Sequence, residues 1–182
     1  GQEPGDIKVQ DVDGNGVITT DDRIIYSQRP DVTFGFNNTF NYKGFDLSVF
    51  LYARLGQWIA YDYNTTYRIN ALENGGNVDY WTPENPTNAF PRPNKSKSYT
   101  QVTYYSTLKY EDGSFFKIRD ITLGYTFKPE LLKHLNLSKL RVYATAKNFF
   151  TFSKIDNYDP EQGGSISFPM TKQLVFGLNV EF

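Results

Sequence analysis

The last ten residues constrain the fold more than any other stretch. From Gln173 to Phe182 the chain alternates strictly, with Leu174, Phe176, Leu178, Val180 and Phe182 on one face and Val175, Gly177, Asn179 and Glu181 on the other. Successive side chains of a strand point to opposite faces, so this is a half-buried strand with one apolar side. Two settings suit it. One is the closing strand of a membrane β-barrel, with its apolar side toward lipid and its polar side toward the lumen. The other is the last strand of a soluble sandwich, with its apolar side on a core.

Composition excludes several alternatives. The 182 residues carry a net charge of −1, which gives no electrostatic footprint for nucleic acid. The chain has no cysteine, so disulfides and thiolate metal sites are excluded. No apolar run approaches the ~20 residues that a membrane helix needs. The mean hydropathy of −0.53 resembles that of a soluble protein. Barrel strands evade such averages, because every second residue faces the lumen. Aromatics reach 17%, a level that fits interfacial girdles, sugar-stacking surfaces or an aromatic-rich core. The opening Gly1-Gln2-Glu3-Pro4-Gly5-Asp6 is polar and lacks the pattern of a signal peptide. On the barrel reading, the chain is then expected to be a mature C-terminal piece of a longer exported protein.

Period-two patterning predicts strands at about 33–42, 45–55, 115–127, 139–150 and 173–182. The first two form a hairpin about Lys43-Gly44, a fit for a two-residue turn. That turn sets Tyr42 opposite Phe45, Phe40 opposite Leu47, Phe36 opposite Leu51 and Phe34 opposite Ala53, so the two apolar faces coincide. Asn38 opposite Val49 is the one exception. Asn37, Thr39, Asn41, Asp46, Ser48 and Arg54 make the other face polar, with Phe50 and Tyr52 less expected there. In the third strand Ile121, Leu123, Tyr125 and Phe127 share a face; in the fourth Leu140, Val142, Ala144 and Ala146 do. A helical turn is predicted over Glu130–Lys133.

The connections sort by length. The turns at 43–44 and 128–138 fall on one side. Segments 1–32, 56–113 and 151–172 fall on the other, with at most one further strand, Gln101 to Tyr110, within them. Short turns on one side and long loops on the other is the asymmetry of an outer-membrane barrel, with the long loops outside the cell. Phe40, Tyr42, Phe45, Tyr125, Phe127 and Phe182 gather at the short-turn side, where an interfacial girdle belongs. The predicted fold is therefore all-β, the last five antiparallel strands of a large transmembrane β-barrel. So few strands cannot close a barrel alone, and an open edge is not tolerated in lipid.

One motif has metal-ligand spacing. Asp11-Val12-Asp13-Gly14-Asn15-Gly16-Val17-Ile18-Thr19-Thr20-Asp21-Asp22 follows the EF-hand calcium loop, with Asp in place of the final Glu. Asp11, Asp13 and Asn15 offer hard oxygen ligands, Gly16 the sharp turn, Val17 its carbonyl, and Thr19 a direct or water-mediated contact; Asp22 closes the shell. A structural calcium ion bracing an outer loop is expected, because Asp6–Gln10 reads as extended rather than as the entering helix of a sensor. The competing reading is a solvated Asn/Asp/Gly turn without metal.

Catalytic sets are not evident. His134 is the only histidine and reads as a surface residue. No Walker loop, GxSxG or GxGxxG occurs, and the chain is not expected to be an enzyme. Asp156, Asp159 and Glu161 read as solvated turn residues rather than an acid/base pair. Trp58, Tyr61, Tyr63, Tyr67, Tyr80 and Trp81, in the longest loop, could contact substrate or a lid; packing within the loop itself is the other reading. A soluble calcium-braced β-module that binds carbohydrate through this loop remains an alternative.

Four passages together are similar to one family. Gly5-Asp6-Ile7-Lys8 leads into the acidic loop and on to Asp21-Asp22-Arg23. Phe34-Gly35-Phe36 precedes Tyr42-Lys43-Gly44-Phe45-Asp46-Leu47. Tyr80-Trp81-Thr82-Pro83-Glu84-Asn85-Pro86 is joined by Phe90-Pro91-Arg92. Phe115 to Tyr125 is followed by Ala146-Lys147-Asn148 and Tyr158-Asp159-Pro160-Glu161. The chain resembles the C-terminal portion of SusC/RagA-type TonB-dependent transporters of Bacteroidetes outer membranes. The resemblance implies a barrel of about 22 strands with an N-terminal plug, energised by TonB. It implies import of large nutrients, glycans or oligopeptides, beneath a SusD-type surface lipoprotein. The plug and barrel portion of the same transporter would be the chain's nearest partner, and Asp46, Arg54, Arg141 and Lys147 would line the passage. A general siderophore or vitamin receptor would share the closing strands and need no lid.

Overall fold

The computed structural model describes residues 3–65, 77–93 and 107–182. Five long strands form one antiparallel sheet: β1 (Val32–Tyr42), β2 (Phe45–Leu55), β5 (Phe115–Thr126), β6 (Lys139–Ser153) and β7 (Gln173–Glu181), in that spatial order. A second sheet pairs β3 (Trp58–Ala60) with β4 (Tyr110–Asp112). The described residues also include two short α-helices, α1 (Asp62–Thr65) and α2 (Pro129–Leu132), and single 3-10 turns at Thr20–Asp22, Lys133–Leu135 and Pro160–Gln162.

The hairpin register is the predicted one, from Val32 opposite Leu55 down to Tyr42 opposite Phe45, with Asn38 facing Val49. Lys43 and Gly44 have φ of 48° and 89°. A turn with both central residues at positive φ matches the right-handed twist of the strands it joins. Gly44 also packs on β5: a Cβ there would lie 2.8 Å from the Thr126 carbonyl oxygen.

The strand ends differ from expectation where a bulge intervenes. On β5, Ile118 pairs with Leu51 and Asp120 with Phe50, leaving Arg119 unmatched. One extra residue reverses the alternation. Phe116 and Ile118 therefore join the face of Ile121, Leu123 and Tyr125, while Phe115 and Lys117 join Asp120 and Thr122. Facing the bulge, Asn148 adopts φ of 59°, and β6 runs on to Ser153 instead of stopping at 150. This extension sets Phe152 opposite Phe116, with ring centroids 6.1 Å apart. The predicted loop 56–113 contains β3, α1 and β4; Tyr110 of the proposed 101–110 strand belongs to β4, and residues 101–106 lie outside the described residues.

One face of the large sheet is bare and apolar. Phe36, Phe40, Leu123, Phe152, Leu174, Phe176 and Leu178 are all exposed, Phe176 at 77%. The aromatics at the short-turn end form a contiguous band, with Phe45 against Tyr125 at 4.6 Å and Tyr125 edge-on to Phe127 at 5.0 Å. The opposite face is polar and laced together. Asn37 accepts from Ser48, the Thr122 and Thr145 hydroxyls meet at 2.8 Å, and Asp120 approaches Lys147 at 3.7 Å. Phe50 and Tyr52 lie near each other on this face, ring centroids 6.4 Å apart, and the Tyr52 hydroxyl accepts from Arg54 at 2.8 Å.

Besides Ala53 and Phe115 in the sheet and Leu132 in α2, the buried apolar residues described sit at the long-loop end. Ile59, Tyr61 and Ile155 form a small core, joined by Tyr63, Tyr158 and Ile166. The Gly164 carbonyl accepts from the Asp62 amide, tying the last long loop to the first residues after β3. The outer loops are thus a packed storey with its own core.

Candidate functional site

The acidic loop has the geometry that its spacing requires. Asp11 accepts from the amides of Gly14 (2.7 Å) and Gly16 (2.8 Å), and Asn15 accepts from that of Val17 (2.7 Å). Asp22 accepts from Val12 and Thr19, both at 2.7 Å, and Thr19 from Asp21 at 3.1 Å. These bonds wrap the loop inward and bring carboxylate oxygens of Asp11, Asp13 and Asp22 within 4.8 Å of one another. Oxygens bound to one calcium ion at ~2.4 Å span at most about that distance. The Thr19 amide, and then that of Val12, hold the Asp22 carboxyl below its ordinary value of 3.8. The donor set is hard and acidic, and it fits a calcium ion.

The stem of this loop is clamped to the Tyr80–Arg92 segment. Arg92 forms ion pairs with Glu3 and Asp6, and its amide donates to the Gly5 carbonyl at 2.9 Å. The Trp81 ring covers Gly5, where a Cβ would lie 2.5 Å from Cε3. Within the segment Asp79 accepts from Thr87 (2.6 Å) and Asn85 (2.7 Å), which keep its carboxyl below the ordinary range.

The six aromatics proposed for substrate or lid are dispersed. Trp58 stacks on Tyr26, which stacks on Tyr110. Tyr61 is buried against Tyr63, and Tyr63 lies against Tyr158. Trp81 packs on Gly5, while Tyr80 is 43% exposed. Tyr67 lies outside the described residues. Most of the other five are thus engaged in packing within the outer storey.

Sequence reasoning missed the strongest polar feature. Lys117 is fully buried on the polar face, with Nζ 2.6 Å from Asp159 and 2.8 Å from Glu161. Arg119 adds a contact to Glu161 at 3.2 Å. Asp159 also caps the short turn Pro160–Gln162. Asp159 and Glu161 are therefore not free turn residues. They fix the loop after β6 against the wall. The signal was a lysine between Phe116 and Ile118, but its face depends on the bulge at Arg119.

Lower on the same face, Arg141 of β6 donates to Asp46 of β2, Nε to Oδ1 at 2.9 Å. The pair crosses β5 over Gly124, where a Cβ would lie 2.5 Å from both groups. Of the other proposed passage residues, Arg54 is held by Tyr52 and Lys147 by Asp120. His134 is exposed after α2.

An antiparallel sheet with a bare apolar face, an ion-paired polar face and long packed loops at one end defines a section of transmembrane β-barrel wall. No family model matches the chain. It is 31% identical to TonB-dependent receptor P3 of Formosa agariphila, across 99% of this chain and 19% of that protein. It is likewise 31% identical to TonB-dependent receptor SusC of Bacteroides thetaiotaomicron, across 94% of this chain and 17% of the relative. Among solved structures, the RagAB peptide transporter superposes with a TM-score of 0.71 at 27% identity, over 88% of this chain and 18% of that one. The 'closed-closed' state of the RagAB peptide importer gives 0.72 at 28% identity, over 94% and 20%. The chain thus belongs to the SusC/RagA-type TonB-dependent receptors, and it spans about a fifth of the length of the relatives it matches.

Proposed function

We propose that this chain is a wall segment of an outer-membrane importer that takes up large nutrients, glycans or oligopeptides, with energy from TonB and beneath a SusD-type lipoprotein. The bare apolar face carries this reading. A soluble module that binds carbohydrate would have to leave Phe176, Leu178 and Phe152 in water, whereas lipid covers them in a barrel. The free edges of β1 and β7 supply a second argument, since each needs a neighbouring strand within a membrane. The other strands of the barrel are those neighbours, with the plug inside them. The polar face with Asp46 and Arg141 lines the passage, and the storey at the long-loop end meets lid and cargo.

A calcium ion at Asp11, Asp13, Asn15, Val17, Thr19 and Asp22 belongs to the same reading. The ion would offset most of the charge of three convergent carboxylates and stiffen the loop. Arg92 and Trp81 would transmit that stiffness to the 77–93 segment.

The test uses the full-length receptor expressed with its lipoprotein. An outer-membrane band that shifts on boiling, co-purification of the lipoprotein, and nutrient uptake that is lost without TonB are expected. A full-length protein recovered folded and monomeric without detergent would refute the proposal.

A further inference from the structure

The short-turn end carries cations at the rim of the bare apolar face. The turns at 43–44 and 128–138 contain three lysines, Lys43, Lys128 and Lys133, against one carboxylate, Glu130. Among the described residues none of these three lysines enters an ion pair; the salt bridge at this end joins Lys139 to Glu181 at 2.9 Å.

Turn chemistry does not account for Lys43. Its φ of 48° is a left-handed conformation that Asn, Asp or Gly adopts more easily. Its ammonium lies 5.1 Å from the centre of the Tyr42 ring, and Tyr42 is 70% exposed on the apolar face. The lysine therefore leans to the lipid side of the wall. The second turn lies alongside the first: the Thr126 amide donates to the Gly44 carbonyl at 2.7 Å. Lys128 follows Phe127, which closes the band of rings that runs through Tyr125 to Phe45. Two cations thus flank one aromatic band.

The longer of the two turns is itself amphipathic. Leu132 is buried, whereas Leu131 and Leu135, on either side of Lys133, are each 62% exposed. Bare leucines among lysines suit a lipid interface. Apolar groups there enter the acyl boundary while ammonium groups stay at the level of the phosphates.

We propose that this rim is a docking surface for anionic phospholipid of the periplasmic leaflet, with Lys43 and Lys128 on headgroup phosphates and Tyr42, Phe45, Tyr125 and Phe127 against the glycerol and upper acyl chains. Each lysine meets its own lipid, so no single ligand bridges the two. A zwitterionic headgroup offsets the pull of its phosphate with its own cation, and an anionic headgroup does not. The surface rests on the importer reading, which puts the short turns in the periplasm, and adds a lipid preference to it.

The experiment places the full-length receptor, with its lipoprotein, in phosphatidylcholine vesicles. A fluorophore on Leu135→Cys reports the lipid beside the turn. Brominated phosphatidylglycerol is compared, as quencher, with an equal share of brominated phosphatidylcholine. The anionic lipid is expected to be about fivefold enriched at the turn, the scale of one lysine near an anionic surface. Lys43→Gln combined with Lys128→Gln should remove the preference, and Lys43→Arg combined with Lys128→Arg should keep it. Equal quenching by the two lipids, quenching by neither, a preference that survives both Gln substitutions, or one that inorganic phosphate abolishes at constant ionic strength would overturn the surface. TonB-dependent nutrient uptake tests the importer separately. Uptake without lipid preference defeats the surface alone, and lipid preference without uptake defeats the importer alone.

Discussion

Asp46 and Arg141 sit on strands that do not touch, and they pair across β5 over the one position, Gly124, that has no side chain to block them. In the register, Asp46, Gly124, Tyr143 and Gly177 fall in one row across four strands. The Tyr143 ring lies over Gly177 as the ion pair lies over Gly124. Small residues under large ones give this row a continuous polar surface two layers thick.

Gly124→Val should force Asp46 and Arg141 apart, leaving two partly buried charges without partners. A loss of about 1–3 kcal/mol is expected. It should appear as a lower heat-modification temperature of the full-length receptor in gels, while Gly124→Ser should cost less.

Among the described residues, Lys117→Met removes the one fully buried cation, leaving Glu161 with Arg119 alone and Asp159 with no ion-pair partner. Breaking such a pair costs about 3–5 kcal/mol when its partners stay buried. Here the loop can swing out instead, so the expected readout is faster hydrogen exchange over 154–166 with little change in β5 or β6. Adding Asp159→Asn and Glu161→Gln to Lys117→Met should recover much of the protection.

Lipid exposure separates the two faces of β7. Phe176→Arg should cost about 2–4 kcal/mol if the residue lies near the bilayer midplane, and it should reduce the heat-modifiable outer-membrane population. Asn179→Arg, on the polar face, should be tolerated. Equal sensitivity at both positions would contradict the assignment of faces.

The acidic loop should bind calcium in a pH-dependent way. Asp22 has a carboxyl pKa below 3.8 because the amides of Thr19 and Val12 favour its charged form. A depressed carboxylate stabilises the folded loop above its unfolded pKa, and that contribution is lost as pH falls through the folded value. Binding should therefore be flat near neutrality and weaken in acid as Asp22 protonates. Asp11→Asn or Asp13→Asn should weaken calcium binding by about tenfold or more through loss of one ligand charge. Calcium titration by calorimetry, with proteolytic protection of 3–30 as a second readout, checks both.

The hairpin was legible because its signals agree. Period-two alternation and a two-residue Lys43-Gly44 turn set the same register, and one slip would have moved every Phe to the wrong face. The bulge at Arg119 was not legible, because a single extra residue changes phase without changing composition. With it went the face of Lys117 and the extension of β6 through Phe152. The inward turn of the acidic loop was readable since its side-chain-to-amide bonds join residues close in sequence. The grip of Lys117 on Asp159 and Glu161 was not, because it joins residues more than forty positions apart. The loop aromatics were ambiguous for the same reason: only tertiary contacts distinguish a Trp81 laid on Gly5 from one open to cargo.

The outer storey keeps its own small core and meets the wall at few defined points, Lys117 the most deeply buried of them. Its exposed residues can be exchanged without disturbing the alternation that suits the wall to lipid. A chain built this way is a fixed handle with an interchangeable head, and the head can be reshaped while the membrane still meets the same handle.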